Sequence, residues 1–421
     1  MIINKLLEEL EPYMLGNECL KSASGEFIFS ESFWQQFEAC LVKKGDLEPF
    51  LDKVERFRNV QLKELNKSKF TSVFCLVALI IKAYVALQDL RYLNIALKLL
   101  ERSLSMGSSK GYRKFIEHLI ALLVKQASRH VNNPEASPPH LFTEREVSDP
   151  RAKLGELVLK KDSAEKVIVF SPNPKSNYTL AVLSLLESKG ISVSGVVVRK
   201  LFNPQRIMKE FKRDGSRLVK KVYRKIILND SVRQNPNGRN LSDTIRELGV
   251  RERTVFQWCK NRNIEIFSCN EFNDEGTVSF LKSCNYDFGV FTGGGILSPA
   301  VLDTAKVGIL NCHAGLLPYY RGMDVVEWPV LLGARENTGC TVHFMSKGVD
   351  QGKMLLTHCL TQELDIKSAR YEIESYAPYL QVIALIQFLN DGISFTQKIT
   401  QGKHFFVMHP SLYDLALKRT S

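Results

Sequence analysis

From Lys166 onward, short apolar runs alternate with segments of helical periodicity, and this alternation limits the possible folds more than any other feature of the sequence. The runs "KVIVFSP", "ISVSGVVVR", "NIEIFS" and "DFGVFTGGG" are rich in β-branched and aromatic residues, as buried strands are. Segments such as "NYTLAVLSLLESKG" and "DEGTVSFLKSC" separate them and have the spacing of helices. Because strands that alternate with helices form parallel sheets covered on both faces, we expect an α/β protein with a Rossmann-like, mostly parallel sheet.

The region before this alternation has a different pattern. Residues 1–131 have apolar residues at spacings of three and four throughout, which predicts a separate all-α N-terminal domain. Four prolines then interrupt residues 132–150, which we interpret as a linker. We expect the catalytic domain at 151–360 and a helix-strand-helix extension at 361–421. The helical domain could mediate homodimerisation, bind a second ligand or dock a partner, and its sequence leaves these alternatives open.

The composition is that of an ordinary soluble globular protein, with 44% apolar and 24% charged residues. The N-terminus contains three glutamates among its first eleven residues, unlike a secretory signal. The longest apolar run, residues 73–87, is too short to span a bilayer and contains Lys82. The nine cysteines form no CxxC pair, which is typical of reduced thiols. These features predict a cytoplasmic protein without a membrane span.

The net charge of +12 is concentrated in one segment. Residues 199–262 contain 18 Lys and Arg against 6 Asp and Glu, a net +12, so the remainder is neutral overall. The segment "NPQRIMKEFKRDGSRLVKKVYRKIIL" has apolar residues at helical spacing between its charges. A surface helix with a basic outer face explains this pattern, and a nearby phosphate-bearing ligand explains it equally.

Polar residues occupy the end of one predicted strand, in "GILNCHAGLLPYYRG". Asn311 and His313 are two residues apart, so they emerge on the same face of a strand, whereas Cys312 points to the other face. The same parity separates Cys340 from His343 and argues against a metal site, which needs convergent ligands. We interpret His343 as a sheet-face histidine whose polar atoms have partners.

An amide beside an imidazole suits acyl-type transfer, because the amide stabilises an oxyanion and the imidazole moves a proton near neutral pH. Such an imidazole is often oriented by a carboxylate. Asp350 in "GVDQGKM" could fold back over the strand end and serve this purpose, although an Asp beside Gly is also ordinary turn chemistry.

Four blocks resemble the catalytic core of the 10-formyltetrahydrofolate-dependent formyltransferases: "ILNCHAGLLPYYRG", "EWPVLLG", "TGCTVHFM" and "GVDQGKML". The family pattern is Asn-x-His, Leu-Leu-Pro with Arg-Gly or Lys-Gly, Thr-Gly-x-Thr-x-His, and Asp-x-Gly, in this order. One departure is Ala314-Gly315, where many members have Pro-Ser.

The resemblance implies a catalytic trio of Asn311, His313 and Asp350. It implies 10-formyltetrahydrofolate as co-substrate, with the pterin against the segment after the fourth strand: Thr292, Gly293, Gly294, Gly295, Ile296 and Leu297. A plain flexible loop is the alternative for this glycine run.

The acceptor amine is less constrained than the reaction. Methionyl-tRNA formyltransferases add a sizeable β-barrel domain, whereas only about sixty residues follow Leu360 here. Glycinamide ribonucleotide formyltransferases hold phosphate in a Gly-rich turn, which "SPNPKSNYT" lacks. Formyltetrahydrofolate hydrolases have a mixed α/β domain in front of the core. We therefore favour N-formyltransferases that act on nucleotide-linked amino sugars in polysaccharide biosynthesis. Three alternatives stay open: the methionyl-tRNA enzyme, with a nucleic acid as its partner, the hydrolase, and a non-catalytic partner-binding module. The expected acceptor contacts are Lys175, Ser176, Asn177, Tyr319 and Arg321.

Overall fold

The computed structural model describes residues 2–10, 70–104, 110–133, 149–160, 165–200, 240–293, 295–360, 364–398 and 401–420. Its helices are α1 (Ile2–Leu10), α2 (Phe70–Leu87), α3 (Leu90–Leu104), α4 (Lys110–Val131), α5 (Pro150–Glu156), α6 (Asn177–Ser188), α7 (Leu241–Glu247), α8 (Val255–Asn261), α9 (Glu275–Cys284), α10 (Pro299–Leu302), α11 (Glu327–Leu331), α12 (Ile366–Asp391) and α13 (Pro410–Thr420). Its strands are β1 (Val167–Ser171), β2 (Val193–Arg199), β3 (Glu265–Cys269), β4 (Phe288–Phe291), β5 (Gly308–His313), β6 (Tyr320–Gly322), β7 (Gly339–Phe344), β8 (Met354–Cys359) and β9 (Lys403–Phe405).

The chain forms two compact units. The first comprises Met1–Pro139, Glu327–Ala334 and His404–Ser421, and the second comprises His140–Val326 and Arg335–Lys403. The domain bounds expected from the sequence stay a prediction. The basic helix expected within residues 203–228, most of the linker and residues 11–69 of the expected helical domain lie outside the described residues.

The second unit contains a seven-stranded sheet in the order β3-β2-β1-β4-β5-β7-β8. The first five of these strands are parallel, and β7 and β8 are antiparallel to their neighbours. All five residues of β1 are buried, as in a central strand covered on both faces, whereas β3 lies at the edge and is largely accessible. The prediction of an α/β, mostly parallel sheet is confirmed.

The core of this sheet explains why the strands are apolar. Ile168 and Phe170 of β1, Val197 of β2, Phe291 of β4 and Ile309 of β5 belong to one buried cluster.

Helix α6 begins after Ser176, whose Oγ accepts a hydrogen bond from the Thr179 amide, and α12 ends at Gly392 with φ of 65°.

The first unit is helical, and its helix α3 has polar side chains on a buried face. Helix α3 buries Asn94 completely. The Asn94 amide donates to the Val407 carbonyl and accepts from the His409 amide, and the Arg91 guanidinium donates to the His404 carbonyl. Side chains of α3 therefore satisfy the backbone of the segment at 404–409, which explains polar residues on a buried helix face.

Among the described residues, no helix is long and apolar enough to cross a membrane.

Candidate active site

The carboxyl ends of β1 and β4 meet at the point where the strand order reverses, the usual ligand position in open parallel sheets. Three buried hydroxyls connect them. Thr179 Oγ1 lies 2.9 Å from Ser171 Oγ and 2.7 Å from Thr292 Oγ1. The Thr292 hydroxyl donates to the Phe170 carbonyl at 2.7 Å. This network joins two strand ends to the first turn of α6 and fixes their relative position.

Asn311 and His343 face each other across the antiparallel pair β5–β7, with Asn311 Nδ2 3.2 Å from His343 Nε2. His343 Nδ1 lies 2.9 Å from the Phe344 carbonyl and therefore donates to it. Nε2 is then the acceptor for the Asn311 amide. Burial lowers the pKa of His343 to about 4, so its imidazole is neutral near pH 7. His343 thus holds the Asn311 amide with its nitrogen toward β7.

His313 lies at the end of β5 on the same face and is 7% exposed. Its Nε2 lies 2.8 Å from the Tyr320 carbonyl, which accepts a hydrogen from it. Its Nδ1 lies 3.5 Å from Asp350 Oδ2. The Asp350 carboxylate therefore faces the ring nitrogen that does not contact the Tyr320 carbonyl.

Asp350 reaches this position from the loop between β7 and β8. Its Oδ2 accepts a hydrogen bond from the Gly322 amide at 3.0 Å, and its Oδ1 is 3.7 Å from His343 Nε2. Its backbone has φ of 53°, a left-handed conformation that Asp tolerates better than most residues. Asp350 is therefore both a turn residue and the carboxylate that faces the imidazole.

The turn after His313 is held by the threonine of "GCTVHF". Thr341 Oγ1 donates to the Gly315 carbonyl at 3.0 Å and accepts from the Leu317 amide at 3.1 Å. A Cβ at Gly315 would lie 2.7 Å from the Tyr320 carbonyl and 3.0 Å from His313 Nε2. The glycine at this departure from the family pattern therefore lets the turn pack closely against the histidine.

Cys312 projects from the opposite face of β5, as its parity predicts. A hydrogen bond from the Cys340 thiol to Cys312, together with burial, raises the pKa of Cys340 well above its ordinary value, so the Cys340 thiol is protonated near neutral pH. The Cys312 side chain thus lies away from His313 and does not form a nucleophilic pair with it.

The loop after β4 combines structural and accessible residues. Thr292 is 5% exposed and Leu297 is 4% exposed, whereas Ile296 is 74% exposed. Gly293 and Gly295 have φ of 106° and 121°, a region that strongly favours glycine. Asn273 holds the following turn, donating to the Ile296 carbonyl at 2.9 Å and accepting from the Ser298 amide at 2.7 Å. Gly294 lies outside the described residues.

The expected acceptor contacts fall in different environments. Lys175 and Asn177 are exposed beside the N-terminus of α6, and Ser176 is its buried N-cap. Tyr319 is half-buried. Arg321 is 3% exposed, and its guanidinium donates to the Gly402 carbonyl at 3.4 Å. The structure therefore directs Arg321 into the protein.

The sequence reasoning missed the backbone groups of this site. The Tyr320 carbonyl and the Gly322 amide contact His313 and Asp350, and the Asp350 carbonyl accepts a hydrogen bond from the Gln397 side chain. Backbone groups leave no signal in residue identity. Within the described part of the chain, no cluster of three His, Cys, Asp or Glu side chains is arranged to hold a metal ion.

Comparison with known proteins gives a partial match. Residues 242–372 match the family model described as "Formyl transferase". A methionyl-tRNA formyltransferase from Clostridium tetani is 35% identical over 143 residues, which is 33% of this chain and 43% of that protein. One from Microcystis aeruginosa is 42% identical over 81 residues, 19% of this chain and 25% of that protein. The chain therefore covers less than half the length of these relatives.

The solved structures to which this chain is similar include two formyltransferases. A phosphoribosylglycinamide formyltransferase from Bacillus halodurans is 17% identical, with 54% of this chain and 97% of that chain covered and a TM-score of 0.34. A sugar N-formyltransferase from Shewanella is 14% identical, with 61% and 88% covered and a TM-score of 0.35. The sequence comparison is the informative one. Residues 242–372, which contain Asn311, His313 and Asp350, are similar in sequence to the formyl transferase family.

Proposed function

We propose that this protein transfers a formyl group from 10-formyltetrahydrofolate to a primary amine. The observation that carries the proposal is the convergence of three side chains inside the segment similar to formyl transferases. His313 Nδ1 lies 3.5 Å from Asp350 Oδ2, and Asn311 shares the face of β5 with His313. An amide, an imidazole and a carboxylate so arranged suit transfer at a carbonyl carbon.

Each member of the trio has a distinct role in this proposal. His343 accepts one hydrogen of the Asn311 amide, and the second hydrogen donates to the formyl oxygen as negative charge develops there. When His313 carries a proton it adds positive charge beside the same oxygen, and the facing Asp350 carboxylate stabilises that form. As the amine bonds to the formyl carbon, the Asp350 carboxylate accepts the amine proton. The bond from that carbon to the donor nitrogen then breaks, and the same proton passes from Asp350 to the donor nitrogen.

The loop after β4 suits the donor. Gly293 and Gly295 have positive φ, and a Cβ at Gly293 would meet no atom within 4 Å, so there is open space beside this backbone. The exposed Ile296 side chain offers an apolar surface for a flat ring. The backbone of residues 292–297 and this side chain would therefore contact the pterin. Within residues 292–297, the buried Thr292 hydroxyl serves the strand ends rather than the ligand.

For the acceptor, we propose the amino group of a nucleotide-linked sugar. Lys175 is exposed beside the N-terminus of α6, where a phosphate is electrostatically favoured. At the end of β2, the Arg199 guanidinium lies over the Phe272 ring at 5.6 Å, and its side chain is 18% exposed. These two cations would contact the diphosphate. Methionyl-tRNA is the second candidate, because the curated relatives carry that name.

The test measures tetrahydrofolate release from 10-formyltetrahydrofolate with a panel of nucleotide-linked amino sugars, with methionyl-tRNA, and without acceptor. Release that requires one amino sugar supports the proposal, release that requires the tRNA supports the second candidate, and release without acceptor indicates a hydrolase. The His313→Asn variant should lose at least about 100-fold in kcat, the usual contribution of general acid-base catalysis. His118→Asn is the matched control, since the His118 side chain is 45% exposed. Wild-type activity in His313→Asn would exclude the mechanism.

A further inference from the structure

We propose that Gln397 is a positioning residue that holds the loop carrying Asp350, an inference that rests on the proposed function. Gln397 belongs to none of the four family-like blocks and follows α12 in the chain. It is 7% exposed, unusual for a glutamine outside a helix or strand. Its contacts are with the backbone of the loop between β7 and β8.

The strand register brings Gln397 to this loop. Met354 and Phe395 form an antiparallel bridge, in which the Met354 amide donates to the Phe395 carbonyl at 2.8 Å and the Phe395 amide donates back at 2.7 Å. In an antiparallel pair, two residues forward on one side face two residues back on the other. Gln397 therefore comes opposite Gly352, at the last turn of the loop before β8.

Gly352 is the residue that makes room for this approach. A Cβ at position 352 would overlap the Phe344 carbonyl, so the loop packs against β7 through bare backbone. The Gln397 Nε2 then donates to the Gly352 carbonyl at 2.6 Å and to the Asp350 carbonyl at 3.1 Å. Both amide hydrogens are used, on carbonyls two residues apart. One side chain thereby fixes the turn around Gln351.

The turn needs these hydrogen bonds because of its backbone conformation. Asp350 has φ of 53°, which is disfavoured for any residue with a Cβ and persists only where surrounding contacts determine it. The carboxylate is held from the other side by the Gly322 amide at 3.0 Å. Gln397 therefore sets the backbone and Gly322 sets the side chain, and together they fix the 3.5 Å distance between Asp350 Oδ2 and His313 Nδ1.

The test compares Gln397→Met, which has similar size and no donor, with the exposed-site control Gln401→Met. We expect kcat for formyl transfer to fall about tenfold to 100-fold in Gln397→Met, with both KM values within about twofold of wild type. Far-UV circular dichroism and thermal unfolding check the fold. Gln397→Asn keeps the amide but is one methylene shorter, so it should lose kcat as well, and it replaces Gln397→Met if that variant does not fold.

A spectroscopic measurement separates this proposal from the proposed function. In protein labelled with 15N-histidine, the ring nitrogen shifts of His313 report whether a carboxylate faces Nδ1, and the His313→Asn variant assigns the signal. We expect Gln397→Met to change these shifts and Gln401→Met to leave them unchanged. This result would support the positioning role even if no acceptor were formylated. Unchanged His313 shifts, or a wild-type kcat in a folded Gln397 variant, would overturn it.

Discussion

The neutral His343 makes the stability of the second unit depend on pH. Burial lowers the pKa of this histidine from 6.5 to about 4, and the nearby Asp350 carboxylate only partly offsets the effect. The unfolded chain therefore binds the His343 proton more readily than the folded chain between pH 4 and pH 6.5. Stability is fully present above pH 6.5 and is lost as the pH falls toward 4.

The size of this loss follows from the two pKa values. Linkage with 6.5 for the unfolded state and about 4 for the folded state gives a loss of about 2 kcal/mol between pH 7 and pH 5. At pH 5 nearly every unfolded His343 is protonated, whereas only about one folded molecule in ten is. The limit below pH 4 is about 3 kcal/mol, at 1.36 kcal/mol for each pKa unit.

Urea unfolding of wild type and His343→Asn at pH 7 and pH 5 measures the effect. The three tryptophans can be replaced by 5-fluorotryptophan, and the 19F signal of Trp258, 1% exposed in the second unit, reports unfolding there. His343→Asn should be less stable at pH 7 but should lose about 2 kcal/mol less than wild type between the two pH values. His118→Asn, altered at an exposed site, should follow wild type. Equal pH dependence in wild type and His343→Asn would refute the reasoning.

Three further substitutions have expected outcomes. Asp350→Asn should lower kcat at least about 100-fold with little change in melting temperature, measured by tetrahydrofolate release and calorimetry, because the charge beside the imidazole is lost while the fold is kept. Asn273→Leu removes two hydrogen bonds to the turn after β4 and should raise the KM for the formyl donor about fivefold or more with kcat within about twofold in steady-state kinetics. Gly352→Ala should destabilise the second unit by more than about 2 kcal/mol in urea, because its Cβ would overlap the Phe344 carbonyl. The control Gly276→Ala lies in α9 with its nearest neighbour atom at 3.6 Å and should be neutral or stabilising by up to about 1 kcal/mol.

The sequence predicts the strands and their polar ends well, because both depend on local pattern. β-branched runs located β1 to β5, and a period of two placed Asn311 and His313 on one face. The pairing of Asn311 with His343 depends instead on the register between β5 and β7, which is set by contacts far apart in the chain. The interpretation of His343 as a sheet-face histidine with partners agrees with its two hydrogen bonds, but nothing local named Asn311 as one of them.

The direction of a side chain is the second feature that the sequence does not predict. Arg321 belongs to a block that resembles the family, yet its side chain is buried and donates to the backbone of Gly402. Ser176, whose contact with the acceptor stays a prediction, caps the N-terminus of α6. Residue type and motif membership do not specify which of two neighbours a long or small polar side chain contacts, since packing decides this after the strands have assembled.

The antiparallel direction of β7 explains why the carboxylate needs so much support. Thr341 pairs with His313 and Phe344 pairs with Leu310, so β7 runs away from the end of β5 and the loop to β8 begins three residues, or about 10 Å, from the imidazole. To bring Asp350 to His313, this loop must fold back across the face of the sheet. A left-handed Asp350, a Gly352 pressed against the Phe344 carbonyl and the two hydrogen bonds from Gln397 are the features that make this path possible. In a fully parallel arrangement the next loop would start at the end of β5, and none of these features would be required.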